Sequence, residues 1–310
     1  MKLDPHNHIT PTHESVQQLL VPYDLELVSF VAATSGIENT TLIVDCTKSK
    51  FVLRVYRKHN KDNTRIELES RFASYLHKHE VRVPQITPNA AGEQFSLVEL
   101  DDTVWQVMLM EFVPGQHADS YSEQLLQEMA AAQAKMHFLA NEFDGESLLP
   151  PILEHQEGVF LKQIDFGSLI NSELIEFLER AKTFHTTLDS SLPTGLCHLD
   201  YDRDNILSDK DGGIAAILDF DDLAPAPFVL DLGYTLWEIW YTNNKEAADR
   251  YLILYEQLRP LSKLEKDSLA ATLLFRHYVI CSAGVVKGEI DNETIKKYVR
   301  LEKEFMATRF

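Results

Sequence analysis

The sequence predicts an α+β chain, with a mostly antiparallel sheet in its first part and helices in its second. Short segments with period-two alternation recur within the first 110 residues, and helical periodicity dominates from about residue 120. A run dense in acidic and amide groups, Cys197 to Asp222, falls inside the helical part and reads CHLDYDRDNILSDKDGGIAAILDFDD.

Residues 14–30 read as a helix that gives way to a short strand, Tyr23 to Val31, where Leu25, Leu27 and Val31 alternate. A small polar loop, Ala32 to Thr40 with Gly36 inside it, joins this strand to Leu42–Cys46 as a hairpin. Phe51 to Tyr56 is the third strand, with Phe51, Leu53 and Val55 on one face and Val52, Arg54 and Tyr56 on the other. Thr64-Arg65-Ile66-Glu67 is a capping box that opens a helix to about His79. Ile66, Phe72, Ala73 and Leu76 share one face of it, and Glu69 falls on that face, where a carboxylate needs a partner. Val81 to Pro84 ends the unit, a turn at Asn89 to Gly92 leads into further strands, and Trp105 to Met110 is strongly apolar.

Ser120-Tyr121-Ser122-Glu123 is a second capping box, followed by Leu125, Leu126, Met129, Met136 and Leu139 at helical spacing. His137 on this helix reads as a packed structural histidine. Residues 144–170 are poorly periodic, with Pro150-Pro151 marking a connection. Helices are then expected over 171–188, 228–241, 245–258, 262–286 and 292–308.

Apolar content of 45% and charged content of 25% suit a globular protein. The apolar runs read as too short to cross a bilayer, and MKLDPHNHITPTHES lacks the apolar core of a secretory signal. Cys46, Cys197 and Cys281 form no C-x-x-C pair, which disfavours a disulfide framework or a structural zinc site and favours the cytoplasm. The net charge of −19 argues against nucleic-acid binding and would assist encounter with a cation. His6, His8 and His13 read as part of a flexible polar leader.

The chemistry concentrates in the acidic run. His198-Leu199-Asp200 is followed by Asn205 five residues after the aspartate, then by apolar Ile214 to Leu218 ending in Asp219-Phe220. That is the order of a kinase catalytic loop, H-x-D-x-x-x-x-N, and of the metal-binding D-F pair after it. Phosphoryl transfer needs one carboxylate to orient and deprotonate the attacking hydroxyl, and oxygen ligands to hold magnesium against the phosphates.

These residues resemble the aminoglycoside phosphotransferase and choline kinase superfamily, small-molecule kinases of protein-kinase-like fold, whose loop usually reads H-G-D-x-x-x-x-N; here Leu199 stands at the glycine. The resemblance implies a bilobal chain: a nucleotide-binding lobe over 1–110, a hinge over 111–116, and a catalytic and substrate-binding lobe over 117–310. It implies ATP and magnesium, with Asp200 as the base and Asn205 and Asp219 as metal ligands. Val52 and Arg54 match the strand that touches adenine and phosphates, with Glu69 as the partner of Arg54. The loop at Ser35 and Gly36 would meet phosphate oxygens through backbone N–H groups, and its G-I-E-N resembles the loop of bacterial homoserine kinases of this superfamily. Glu111 and Val113 would hold adenine by backbone groups, and Asp231 of the D-L-G segment, with His198, would brace the loop.

The acceptor expected is an amino-bearing alcohol, aminoglycoside, homoserine-like or choline-like, because Asp202, Asp204, Asp222 and Glu238 are placed to surround a cation. Trp237, Trp240 and Tyr241 offer cation–π faces, although core packing is the favoured reading of the tryptophans. No A-P-E motif follows the D-F pair, which disfavours a protein acceptor. Neither nucleic acid nor membrane is expected as a partner, and the chain would be a monomer or homodimer. The alternatives are a catalytically silent nucleotide-binding module and a magnesium-dependent phosphohydrolase.

Overall fold

The computed structural model describes residues 11–33, 39–56, 63–144, 171–184, 188–288 and 291–308. Ser35 and Gly36, His6 and His8, and Pro150-Pro151 lie outside them. The chain divides into two compact units: Met1–Gln116 with Leu207–Lys210 and Ala215–Leu218, and the remainder.

The first unit opens with α1, His13–Leu20, whose N-cap Thr12 and N3 residue Ser15 form a capping box. The helix stops ten residues before the sequence reading expects. Pro22 falls in a 3₁₀ turn, Val21–Tyr23, and Asp24 takes a left-handed conformation at its end. Strands β1 (Leu27–Ala32), β2 (Thr40–Cys46) and β3 (Lys50–Val55) follow as an antiparallel meander. Helix α2 spans Asn63–Lys78, so Thr64 lies inside its first turn and cannot be its N-cap as the capping-box reading expects. After β4 (Ile86–Thr87), β5 (Ser96–Leu100) and β6 (Thr103–Glu111), the sheet order is β1-β2-β3-β6-β4, with β5 also on β6.

Val16, Leu19 and Leu20 of α1 pack with Leu42, Val44, Leu53, Val55, Trp105, Val107 and Leu109 of the sheet in one apolar core. Apolar burial of this kind contributes about 1.5–3 kcal/mol per large side chain. The second half of β3 is buried on both faces, since Arg54 is enclosed along with its neighbours Leu53 and Val55.

The second unit is mainly helical. Helix α3, Glu123–Ala140, is capped by Ser122, whose hydroxyl accepts from Leu125 N; the cap is therefore two residues later than Ser120. Helix α4 is Ser172–Phe184. β8 (Thr194–Cys197) pairs with β11 (Ala224–Pro227) in this unit, whereas β7 (Gln116–His117), β9 (Ile206–Ser208) and β10 (Ile214–Ile217) form a three-stranded sheet whose residues belong mostly to the first unit. Helices α5 (Phe228–Thr242), α6 (Lys245–Leu258), α7 (Lys263–Lys287) and α8 (Asn292–Ala307) complete the unit.

α7 is opened by the capping box of Ser262 and Glu265. By length and apolarity alone Lys263–Val286 is long enough to span a bilayer, contrary to the sequence expectation; more than half of its most apolar window is buried within the fold. Gly233 of α5 lets α7 approach closely: a Cβ there would lie 2.0 Å from Thr272 Oγ1. Trp237 and Trp240 are core side chains, and the Tyr241 ring is covered by Lys297 at 3.5 Å, so these aromatics are committed to packing rather than to an ammonium ligand.

Candidate active site

The acidic run is held at both ends by the β8–β11 pair, in which Cys197 sits opposite Ala224. Immediately after β8 the chain turns sharply. Leu199 has φ +64°, a conformation that costs a non-glycine L-residue about 1–2 kcal/mol, and its side chain is fully buried. The left-handed backbone accounts for the glycine usual at this position in the family it resembles.

Asp231 of α5 stabilises the turn. It is 1% exposed, and its Oδ1 accepts from Leu199 N at 2.5 Å. Its Oδ2 accepts from Gln133 Nε2 and lies against His137 Nε2, both at 2.8 Å. Burial alone would raise the Asp231 pKa; the bonds from His137 and Leu199 outweigh it and hold the carboxyl below its ordinary range. Burial pushes His137 down, so the ring is neutral, donating from Nε2 and accepting at Nδ1 from Tyr255 Oη, 2.6 Å away. His137, Cys197 and Asp231 bring three ligand-type atoms within 4.8 Å of one another, and these are engaged in hydrogen bonds.

Asp200 follows, held at both carboxylate oxygens. Arg276 Nη2 of α7 donates to Oδ1 at 2.7 Å, and Asn205 Nδ2 donates to Oδ2 at 2.9 Å and to the Asp200 carbonyl at 2.8 Å. Each oxygen keeps a second lone pair, and the side chain is 35% exposed. His198 is buried, and its Nδ1 accepts from Asp200 N at 3.3 Å. Asp202 caps the 3₁₀ turn Arg203–Asn205 by accepting from Asp204 N and Asn205 N. Burial, reinforced by the charges of Asp200 and Glu238, pushes the Asp202 carboxyl up to about 7. Burial likewise raises Glu238, with Arg276 opposing and Asp200 adding to the rise. The 3₁₀ turn is tied to the segment before α3, where Arg203 Nη1 donates to the Asp119 carbonyl and Arg203 N to Tyr121 Oη.

Asn205 spends its amide N–H on Asp200, and its remaining side-chain atom is an oxygen. Asp219, at φ +61°, adds a carboxylate whose Oδ1 accepts from Asp221 N. An amide oxygen and a carboxylate are the donors a hard cation selects, so the pair fits magnesium.

In the first unit Arg54 Nη1 lies 3.4 Å from Glu69 Oε1, both side chains buried, and Tyr56 Oη donates to the same oxygen at 3.1 Å. Val52 on the same strand is opposite Ile43 and Met110. Glu111 ends β6, with its N–H on the Gln85 carbonyl, and Val113 lies in the irregular segment after it.

The four acids expected around a cation differ in exposure, although the charge of Asp204 acts on both Asp202 and Glu238. Asp202 and Glu238 act electrostatically on each other, on Asp200 and on Arg276. The Asp204 side chain is 78% exposed, and Asp222 is also exposed, although its charge is felt by Arg276. Arg276 itself is absent from the sequence expectations. The available signal was an arginine inside the apolar run Leu269 to Val286, since a charge in a buried helix needs a partner.

Comparison with known proteins fits this geometry. A homoserine kinase of Caulobacter sp. (strain K31) is 24% identical over 264 residues, covering 83% of this chain and 81% of that protein. One from Methylobacillus flagellatus is 25% identical over 260 residues, covering 82% and 78%. Among solved structures, a microcompartment-associated aminopropanol kinase superposes with TM-score 0.75 at 20% identity, covering 94% of each chain. An amicoumacin kinase in complex with AMP-PNP, Ca2+ and Ami gives 0.74 at 17% identity, covering 94% and 92%. At these identities the structural likeness establishes the α+β, protein-kinase-like fold alone. The model of the phosphotransferase enzyme family matches residues 29–264, well over half of the chain, and the protein belongs to that family.

Proposed function

We propose that this phosphotransferase moves the gamma phosphoryl group of ATP onto the hydroxyl of a small amino-bearing alcohol. The observation that carries the reading is Asp200, a partly exposed carboxylate fixed at both oxygens at the base position of the loop. Asp200 accepts the proton of the acceptor hydroxyl as that oxygen bonds to the gamma phosphorus and the bond to the β,γ-bridging oxygen breaks to release ADP; aligning the two groups is most of what the protein must do. Asn205 and Asp219 would hold magnesium, which would neutralise charge on the transferred group. Arg54, held by Glu69, would meet phosphate oxygens, and Ser35, Gly36, Val52, Glu111 and Val113 would complete nucleotide binding. Asp202 and Glu238 supply negative charge for the ammonium group. Support for the acceptor class comes from the relatives, named as homoserine kinases and, among structures, an aminopropanol kinase.

We place the chain in the cytoplasm as a monomer or homodimer acting on small molecules rather than on nucleic acid or a membrane. The charge of −19 and three buried thiols, none in a disulfide, support this placement.

The test is magnesium- and ATP-dependent phosphorylation of a panel of homoserine, ethanolamine, choline, aminoglycosides and hydroxylated amino acids, with Asp200→Asn as the blank. Turnover should fall by about two to four orders of magnitude in the variant while nucleotide binding survives. Full turnover by Asp200→Asn would remove the base assignment. Phosphate released to water at the same rate with and without every alcohol would favour the phosphohydrolase.

A further inference from the structure

Arg276 is the buried cation beside the proposed base, and the base engages only part of it. Its side chain is 9% exposed and lies over the face of Tyr234, with the guanidinium carbon 4.8 Å from the ring centroid. Nη2 donates to Asp200 Oδ1 at 2.7 Å. Nε, on the same edge of the planar guanidinium, is buried and meets no hydrogen-bond acceptor among the described residues. That edge is a two-pronged donor whose spacing matches the two oxygens of a carboxylate. Asp200 fills one prong only, because its Oδ2 is committed to Asn205 Nδ2. The half-filled fork is enclosed with a base and two further acids, Asp202 and Glu238, within electrostatic reach.

We infer that Arg276 is the specificity-determining residue that reads an anionic carboxylate on the acceptor, so that the preferred substrate is a hydroxylated α-amino acid rather than an amino alcohol lacking the acid group. The inference rests on the kinase reading above and narrows its acceptor class. A carboxylate takes Nε and Nη2 together, and the ammonium group beside it faces the negative charge of Asp202 and Glu238. Arg276 then turns its fork from Asp200 to the substrate, and the lone pair it leaves on Oδ1 is available to the hydroxyl proton. A plain amino alcohol offers nothing to the fork. It meets Asp200 while Arg276 still holds one lone pair of Oδ1.

Matched pairs test this without confusing selectivity with general damage: L-homoserine against 3-amino-1-propanol, L-serine against ethanolamine, and L-threonine against 1-amino-2-propanol. Each pair differs by the carboxylate alone. The wild-type protein should favour the acid of its best pair by on the order of 10²-fold in kcat/KM, the discrimination expected when a buried charged fork is fully matched by one ligand and left half-filled by the other. Arg276→Gln should bring that ratio to about one, and Arg276→Lys, which keeps charge without the fork, should leave it in between. Any slowing caused by a loosened Asp200 falls equally on both members and cancels. Calorimetric binding of the same pairs to the wild-type protein with AMP-PNP and magnesium supplies a second ratio that needs neither turnover nor a folded variant. Equal or reversed preference in the wild-type protein, or a ratio unmoved in Arg276→Gln, overturns the inference while leaving the kinase reading intact. Absence of phosphoryl transfer to all six compounds defeats these small amino alcohols and amino acids as acceptors, and the binding ratio still decides the role of Arg276.

Discussion

Leu199 offers a stability test with an inverted sign. Either glycine or alanine there empties the same buried site, and that loss should cost about 2–5 kcal/mol relative to the wild-type chain. The two replacements differ in what they do to the backbone at φ +64°. Alanine retains a Cβ in a conformation that penalises one, whereas glycine relieves the strain and loses somewhat more unfolded-state entropy. At positions of positive φ, alanine is the poorer residue by about 1 kcal/mol, against the usual order in which glycine is the poorer. Leu199→Gly should therefore melt above Leu199→Ala, by about 2–4 °C for a unit of this size. Parallel thermal and urea titrations of the two variants read the difference directly. Because Leu199 N donates to Asp231, Leu199→Gly should also keep the loop closed and retain turnover within severalfold. An alanine variant as stable as the glycine variant, or more so, would refute the claim that this turn carries backbone strain.

Three further outcomes follow from the second unit. Gly233→Ala should destabilise by about 1–3 kcal/mol through overpacking against Thr272, and pairing it with Thr272→Gly should cost less than the sum of the two changes; strict additivity would show that the helices yield elsewhere. Asp231→Asn keeps an acceptor for Leu199 but removes the charge shared by Gln133 and His137, so it should lower stability by about 2–3 kcal/mol and reduce kcat more than it raises KM; wild-type values for both would exclude Asp231 as the brace. His277 is pushed down to about 4 by burial, with the Tyr298 carbonyl and the charge of Glu302 opposing. The unfolded chain, titrating near 6.5, therefore takes up this proton first as pH falls. The contribution of neutral His277 is complete above about pH 6.5 and is lost toward pH 4, about 3 kcal/mol in all. His277→Asn should lack that part of the acid slope in chemical denaturation between those values, and superimposable slopes would count against a neutral buried His277.

The parts of the site that could be read from the sequence are those whose chemistry fixes residue type and spacing within one segment. Asp200 and Asn205 are five residues apart, and the 3₁₀ turn capped by Asp202 closes that distance locally, so the linear pattern already implies their contact. Glu69 was legible for another reason: a carboxylate on the stripe of Ile66, Phe72 and Leu76 has to be paired, and Arg54 meets it. Element boundaries were less legible where capping motifs overlap. Ser120 and Ser122 both precede the same helix, and only the bond from Leu125 N selects Ser122. Thr64 satisfies the capping-box pattern, yet α2 already includes Asn63.

Arg276 escaped because it comes from a helix 76 residues beyond Asp200 and owes its place to the packing of α7, which no local pattern encodes. The same holds for the partners of Asp231: Gln133 and His137 on α3, with Tyr251 and Tyr255 of α6 on their other sides. Each is an unremarkable member of a helical repeat until the helices pack. Their function follows from that arrangement. A carboxylate proposed as a base on a loop drifts unless its backbone is held, and here the holding bond comes from a buried charge that three donors fix in place. The chemical groups of the loop are therefore written in two dozen consecutive residues, whereas the rigidity that makes them useful is distributed over α3, α5, α6 and α7. A chain carrying the loop motif without buried partners for Asp231 would retain the pattern and lose the geometry.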